Sequence, residues 1–290
     1  MKGNLVLKQP DYSGNNHVIE FDGTTDHIVF GDTANLKYSK ANIDSHGLTV
    51  AAWHYGIGGN TGHAEIPLLR IGSGDGTDNN YYGMTFSINN LGQMVAHLFG
   101  TAGGSHGSGS QHRQTRKTTS TAAANRWNFI VWVLPDSNKS NWQCYVNGVA
   151  QGMDTPSGTA SVYPVYYSSN PQTYIGWNGR STSSSYMNNA YVGDIAIWKT
   201  ELTANAIKAL YDRATAAPNT NGSDLLEPTG NYTQADALNL KGWWRMGDPY
   251  GSDSFNQIND EHTVNSNDTR YTGTMTNMSN TNIKTTPLWG

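Results

Sequence analysis

Along most of this chain, apolar residues recur at every second position, the spacing of a strand that buries one face. Val18, Ile19 and Phe21 precede Asp22-Gly23, and residues 27–30 follow it, which predicts two strands about a tight turn. In 46–57, Leu48, Val50 and Ala52 point one way and Thr49, Ala51 and Trp53 the other. Residues 65–72 read as a strand in which Pro67 favours an edge or a bulge. Residues 81–100 predict a hairpin turning at Asn89-Asn90 with Gly92 close behind. Met84, Phe86 and Ile88 alternate on its first arm and Met94, Ala96 and Leu98 on its second. Residues 100–124 are polar and small and read as a long loop, at most ending in the start of a strand.

The next stretch, 125–152, carries Trp127, Trp132 and Trp142 and turns at Asn147-Gly148. Trp127 shares a face with Phe129 and Val131; Trp132 shares the other with Ile130 and Leu134. The pattern reads mainly as scaffold rather than as the floor of a sugar site. Further strands fall at 172–179 and 190–200. One short helix follows, with Thr203 as N-cap and Ala206, Ile207, Leu210 and Tyr211 at helical spacing. Many strands, short turns and one short helix predict an all-β fold, a sandwich of two antiparallel sheets. Residues 1–16 form an N-terminal arm, 17–215 the sandwich, and 216–290 a linker and C-terminal extension packed on it or completing it. Trp243 and Trp244 are adjacent and point to opposite sides of an extended chain, so one could plug the core while the other meets a neighbour.

Composition narrows the partners. Of 290 residues only 14% are charged, the net charge is -4, and Tyr (16), Trp (9) and Gly (32) are abundant. No extended basic stripe is present, so nucleic acid is a poor partner. The densest positive run, His112 to Lys117, reads as a solvated loop, with a phosphate contact as the alternative. No run approaches a membrane span, and the N-terminus lacks a secretory pattern. The single cysteine, Cys144, excludes an intramolecular disulfide and reads as a small core hydrophobe.

Several segments resemble laminin-G-like and pentraxin-like domains of the concanavalin A-like lectin/glucanase superfamily: VIEFDGTTDHIVF, LTVAAWHYG, NRWNFIVWVL, WQCYVNGVAQG, and TYIGWNG with YVGDIAIWKTELTANAIKALYD. They cover about residues 17–213 in order. The resemblance implies a jelly-roll sandwich. The tail, LKGWWRMGD and YTGTMTNM, resembles segments of marine phage proteins. That implies a virion-surface decoration or fibre-associated protein, made in a host cytoplasm and in contact with other virion proteins or copies of itself. Leu5, Leu7, Trp243 and Trp244 would make those contacts. The alternative is a lectin for host-surface glycans.

Because one fold hosts many activities, function rests on the site. A glycoside hydrolase needs paired carboxylates. The nearest pattern, Glu20 and Asp22, lacks a third acid at Thr25, and Asp22 suits a turn cap, so no enzyme activity is expected. The histidines, His54, His106 and His112 among them, are scattered and read as surface or structural groups. No cofactor is required. Domains of the resembled kind hold calcium near the rim. Asp75, Asp78, Asn79 and Asn80 offer hard oxygen ligands, with Asp194 as an outside candidate, although Asp and Asn also build turns without a metal. Sugar recognition needs exposed rings and amide or charged groups. The loop residues Tyr166, Tyr167, Trp177, Asn178, Arg180 and Tyr186 supply both, and Tyr81 and Tyr82 add rings.

Overall fold

The computed structural model describes residues 17–31, 36, 38–56, 65–73, 83–99, 113–158, 172–178, 186–187, 189–216, 224–246, 257–258 and 272–285. Strands β1 (His17–Phe21) and β2 (His27–Phe30) flank the first turn, and α1 (Lys40–His46) leads into β3 (Leu48–Gly56). There follow β4 (Glu65–Ser73), β5 (Met84–Asn89), β6 (Gln93–Phe99), β7 (Arg113–Thr121) and β8 (Trp127–Leu134). Then come β9 (Gln143–Val146), β10 (Val149–Ala150), β11 (Ser157–Gly158), β12 (Gln172–Ile175) and β13 (Ala190–Trp198). Helices α2 (Ala204–Ala216) and α3 (Gln234–Leu238) precede β14 (Leu240–Trp244), β15 (Gln257–Ile258), β16 (Gly273–Thr276) and β17 (Ile283–Thr285).

These strands make two antiparallel sheets. One has eight strands in the order β10-β9-β8-β3-β13-β1-β17, with β14 also on β13; the other has nine, in the order β11-β7-β6-β5-β4-β12-β2-β16-β15. The predicted two-sheet sandwich is therefore the fold, with α1 and α3 added to the single helix expected. Residues 240–285 contribute strands to both sheets: β14 pairs with β13, β16 with β2, and β17 with β1.

Alternation sets the core. Val50, Ala52, Ile130, Trp132, Ile195 and Ile197 from one sheet meet Ile28, Phe30, Ile71, Phe86, Ala96 and Leu98 from the other. Pro67 sits at a bulge in β4, and β4 is an internal strand between β5 and β12. The segment read as a long loop contains β7, paired along its length with β6. Its Thr and Ser residues are β-branched or small polar groups on a half-covered sheet, a pattern that hydrophobic periodicity does not register.

The outward face of the eight-stranded sheet is also apolar. Ala51, Trp53, Trp127, Phe129, Val131 and Trp198 form a second buried cluster with Ala206, Ile207, Leu210 and Ala214 of α2. Thr203 caps that helix, accepting from the Ala206 amide at 3.1 Å. Behind it, the Tyr232 hydroxyl accepts from Trp198 Nε1 at 3.0 Å and donates to the Leu225 carbonyl at 2.8 Å. All three tryptophans of 125–152 are 1% exposed and serve as scaffold. Trp244 fills the inter-sheet core and Trp243 the second cluster, so the two rings do point opposite ways. Trp244 is 0% and Trp243 3% exposed, both covered by the chain's own residues.

Candidate functional site: the outer face of the nine-stranded sheet

With α2 closing one outer face, the other is left to the nine-stranded sheet. Paired positions run across it in a single row: Val29, Tyr174, Arg70, Thr85, His97 and Thr115, on β2, β12, β4, β5, β6 and β7. At a strand spacing of roughly 4.8 Å the row spans about 24 Å. Tyr174, Arg70 and His97 are almost fully buried, yet they belong to neither apolar cluster. This face sets hydroxyls and charges among its rings, where the other outer face is an apolar cluster of Trp, Phe, Val, Ala and Leu.

One end of the row is aromatic. Trp177 lies nearly parallel to Tyr186, with ring centroids 5.7 Å apart and planes at 7°. It meets Tyr174 edge-on at 4.7 Å and His27 at 4.9 Å. A short hairpin brings these groups together: Trp177 and Tyr186 form a β-bridge, and the Met187 amide donates to the Gly176 carbonyl at 2.6 Å. Gly176 is required there. Its φ is +81°, and a Cβ would lie 2.5 Å from Phe21 Cε1. His27 Nδ1 donates to the Thr25 carbonyl at 2.9 Å. Burial pushes the His27 pKa down, and that hydrogen bond only partly opposes it. Tyr186 and Asn178 are half-buried, and the Asn178 Oδ1 is covered with no hydrogen-bond partner.

The other end is polar. His97 Nε2 donates to Glu65 Oε2 at 2.8 Å, and Nδ1 lies 2.9 Å from Thr115 Oγ1. The carboxylate holds a proton on Nε2, and the Thr115 hydroxyl, which can donate or accept, partners Nδ1. The Arg70 guanidinium sits over the Phe99 ring at 5.0 Å. Burial works to raise the Glu65 pKa. The His97 bond and the charges of His97, Arg113 and Arg70 outweigh it and hold the carboxyl below its ordinary value.

Of the residues singled out from sequence, Trp177, Asn178 and Tyr186 converge at the aromatic end. Trp177 is not an open platform, being 8% exposed beneath Tyr186 and Tyr174. Tyr166, Tyr167 and Arg180 lie outside the described residues, as do Tyr81, Tyr82, Asp75, Asp78, Asn79, Asn80, Leu5 and Leu7. Asp194 lines a cavity between the eight-stranded sheet and α2, beside Trp53 and Arg213. Among the described residues no group of three His, Cys, Asp or Glu side chains is placed to hold a metal. Glu20 pairs with Lys284 at 2.9 Å, and Asp22 caps the turn through the Thr24 amide at 2.8 Å. Sequence reasoning missed Glu65, Arg70, His97 and Thr115. The signal was present: Arg70 stands between Leu69 and Ile71, and His97 between Ala96 and Leu98, so strand alternation alone points both away from the core.

A family model described as the concanavalin A-like lectin/glucanases superfamily (Laminin_G_3) matches residues 22–208. The chain belongs to this superfamily. The match takes in both halves of the row, from β2 through β12. Among solved structures, the lectin-like chain is similar to a candidate carbohydrate-binding protein from Bacteroides ovatus. The TM-score is 0.53 and the identity 14%, over 94% of this chain and 60% of that one. This chain thus spans three fifths of that relative's length, and the likeness is one of fold. Lower-scoring likenesses include the CBM40 of a Ruminococcus gnavus IT-sialidase bound to α2,3-sialyllactose (TM-score 0.46, 15% identity, 67% of this chain and 96% of that one). Another is a heptameric SAP-like pentraxin from Limulus polyphemus (TM-score 0.44, 12% identity, 91% and 97%). No curated protein matches the chain.

Proposed function

We propose that this chain is a carbohydrate-binding module that does not cleave its ligand, with its sugar site at the aromatic end of the nine-stranded sheet. The observation that carries the reading is the half-exposed Tyr186 ring, laid flat on Trp177, beside the unpartnered Asn178 Oδ1. A sugar ring presents C–H groups to an aromatic face, and a hydroxyl that displaces the cover over Asn178 Oδ1 would give that atom the partner it lacks. Trp177 holds the platform rigid from behind, which lowers the ordering cost of binding. The superfamily membership and the fold likeness to a candidate carbohydrate-binding protein support the same reading. Glu20 and Asp22, the acids that a hydrolase reading would use, are occupied by Lys284 and by the turn. The virion-surface reading draws no support from Trp243 and Trp244, whose rings are covered within the chain.

The test is an array of immobilised oligosaccharides probed with the wild-type chain and with Tyr186→Ala, with and without calcium. Binding to a defined set of glycans, weakened about five- to tenfold by loss of one stacking ring worth roughly 1–1.5 kcal/mol, is the expected result. Glycan binding that Tyr186→Ala and Asn178→Ala leave untouched would move the site elsewhere. Dependence on added calcium would bring the 75–80 loop into the site.

A further inference from the structure

The polar end of the row has a feature that a neutral sugar does not call for. Strand β7 carries Arg113 and Lys117 on either side of Thr115, and all three side chains point to the same outer face. Arg113 is paired with Phe99, Thr115 with His97 and Lys117 with Val95, the outward residues of β6. Arg113 and Lys117 are half-buried, and neither side chain makes a hydrogen bond or ion pair. Four residues apart on an extended strand, the two cations stand about 13 Å from each other. Arg70, three strands away on β4, extends its guanidinium over Phe99 of β6.

Opposing charge on this face is scarce among the described residues. Glu65 is its one carboxylate, and His97 already binds it. Asp154 lies at the sheet edge, where it accepts from the Lys117 amide at 3.1 Å and returns its own amide to the Lys117 carbonyl. That places Asp154 in the plane of the sheet rather than over it. The whole chain carries a net charge of -4, so a strand that places Arg113 and Lys117 on one face runs against the general composition. The effect on an anion is visible at Glu65, whose carboxyl is held as the carboxylate in spite of its burial, first by the His97 hydrogen bond and then with help from the charges of Arg113 and Arg70.

We propose that the outer face of β7 is an anion-binding strip, so that the ligand of this module is an acidic polysaccharide, bearing carboxylate or sulfate groups. This rests on the carbohydrate-binding reading above. Arg113 and Lys117 would each meet one acidic group of the same chain, while the aromatic end, about 19 Å away across the strands from β7 to β12, holds a sugar ring. A ligand long enough to use both ends gains from linkage without any stronger single contact.

Affinity electrophoresis and titration calorimetry test it. The neutral probes are dextran, xylan and mannan; the acidic probes are polygalacturonate, alginate and dextran sulfate; polyacrylate supplies charge without sugar. At least one acidic polysaccharide should bind at least tenfold more tightly than any neutral one, and the affinity should fall severalfold between about 0.05 and 0.3 M salt. The doubly substituted Arg113→Ala/Lys117→Ala protein should lose that preference, and a control losing Lys208 and Lys241 should keep it. Neutral polysaccharides binding as well as acidic ones, with no effect of the double substitution, would overturn the inference and leave the carbohydrate reading standing. Polyacrylate binding as tightly as polygalacturonate would overturn the assignment to a sugar ligand. If no polysaccharide binds, both readings fall.

Discussion

His54 makes the stability of this protein depend on pH in a way that can be worked from the structure. It lies on β3, on the core side, in register with Asn128 and Val192. It is 4% exposed, and neither ring nitrogen has a hydrogen-bond partner. Burial alone brings its pKa from 6.5 down to about 4. The folded chain therefore keeps the ring neutral at a pH where the unfolded chain already protonates it. The unfolded state binds more protons between those two values, so stability is complete above pH 6.5 and is lost as the pH falls towards 4. Each pH unit removes about 1.4 kcal/mol, and the whole interval about 3 kcal/mol. Urea unfolding followed by tryptophan fluorescence at steps from pH 7 to 4.5 reads this directly as a falling midpoint at constant slope. His27, also lowered by burial, and Asp26, raised by burial with Asp22 and Glu20 nearby, contribute to the raw curve. The informative quantity is thus the difference between wild type and His54→Leu. The variant should have the flatter pH dependence. It should also match or exceed the wild type at pH 5, since it removes two buried polar atoms that lack partners. Parallel curves for the two proteins would refute the reasoning, because they would mean that His54 is solvated or hydrogen-bonded.

Two further outcomes follow from the geometry. Gly176→Ala combines a positive φ with a Cβ placed 2.5 Å from the Phe21 ring, and should cost about 2–4 kcal/mol in thermal or urea unfolding. It should also weaken glycan binding, because the same turn carries Trp177. Tyr232→Phe strands both the Trp198 indole N–H and the Leu225 carbonyl behind α2, and should lower stability by about 2–3 kcal/mol in urea unfolding, with glycan binding unchanged.

The two-sheet fold was legible because each buried strand states its face in the sequence. Met84, Phe86 and Ile88 alternate as they pack, and so do Met94, Ala96 and Leu98. The 113–121 strand was not legible, since Gln, Thr, Arg, Lys and Ser carry no apolar alternation and its pairing is supplied by β6. The adjacency of Trp243 and Trp244 correctly separated their directions. It could not show that Trp243 would be buried in the cluster beneath α2, which is a matter of tertiary packing. Trp177 and Tyr186 were picked as rings in polar loops, but which of the two would be covered depended on the Gly176 turn. Glu65, Arg70 and His97 were readable as outward residues of apolar strands. What joined them was the register of β4, β5 and β6, a long-range property that no local window contains.

Strand β17 at residues 283–285 lies against β1 at residues 17–21, and β16 lies against β2, so strands from the two ends of the described chain meet in both sheets. This closure has a temporal side. During synthesis β1 and β2 emerge more than 200 residues before their partners, an interval on the order of 10–50 s at usual elongation rates. Through that time β1 lacks its β17 neighbour and β2 its β16 neighbour, open edges on which another nascent chain can pair. High sequence separation of this kind also slows folding once the chain is complete. Yield on expression should therefore depend on elongation rate and on chaperones that shield β edges more than the final stability of the sandwich would suggest.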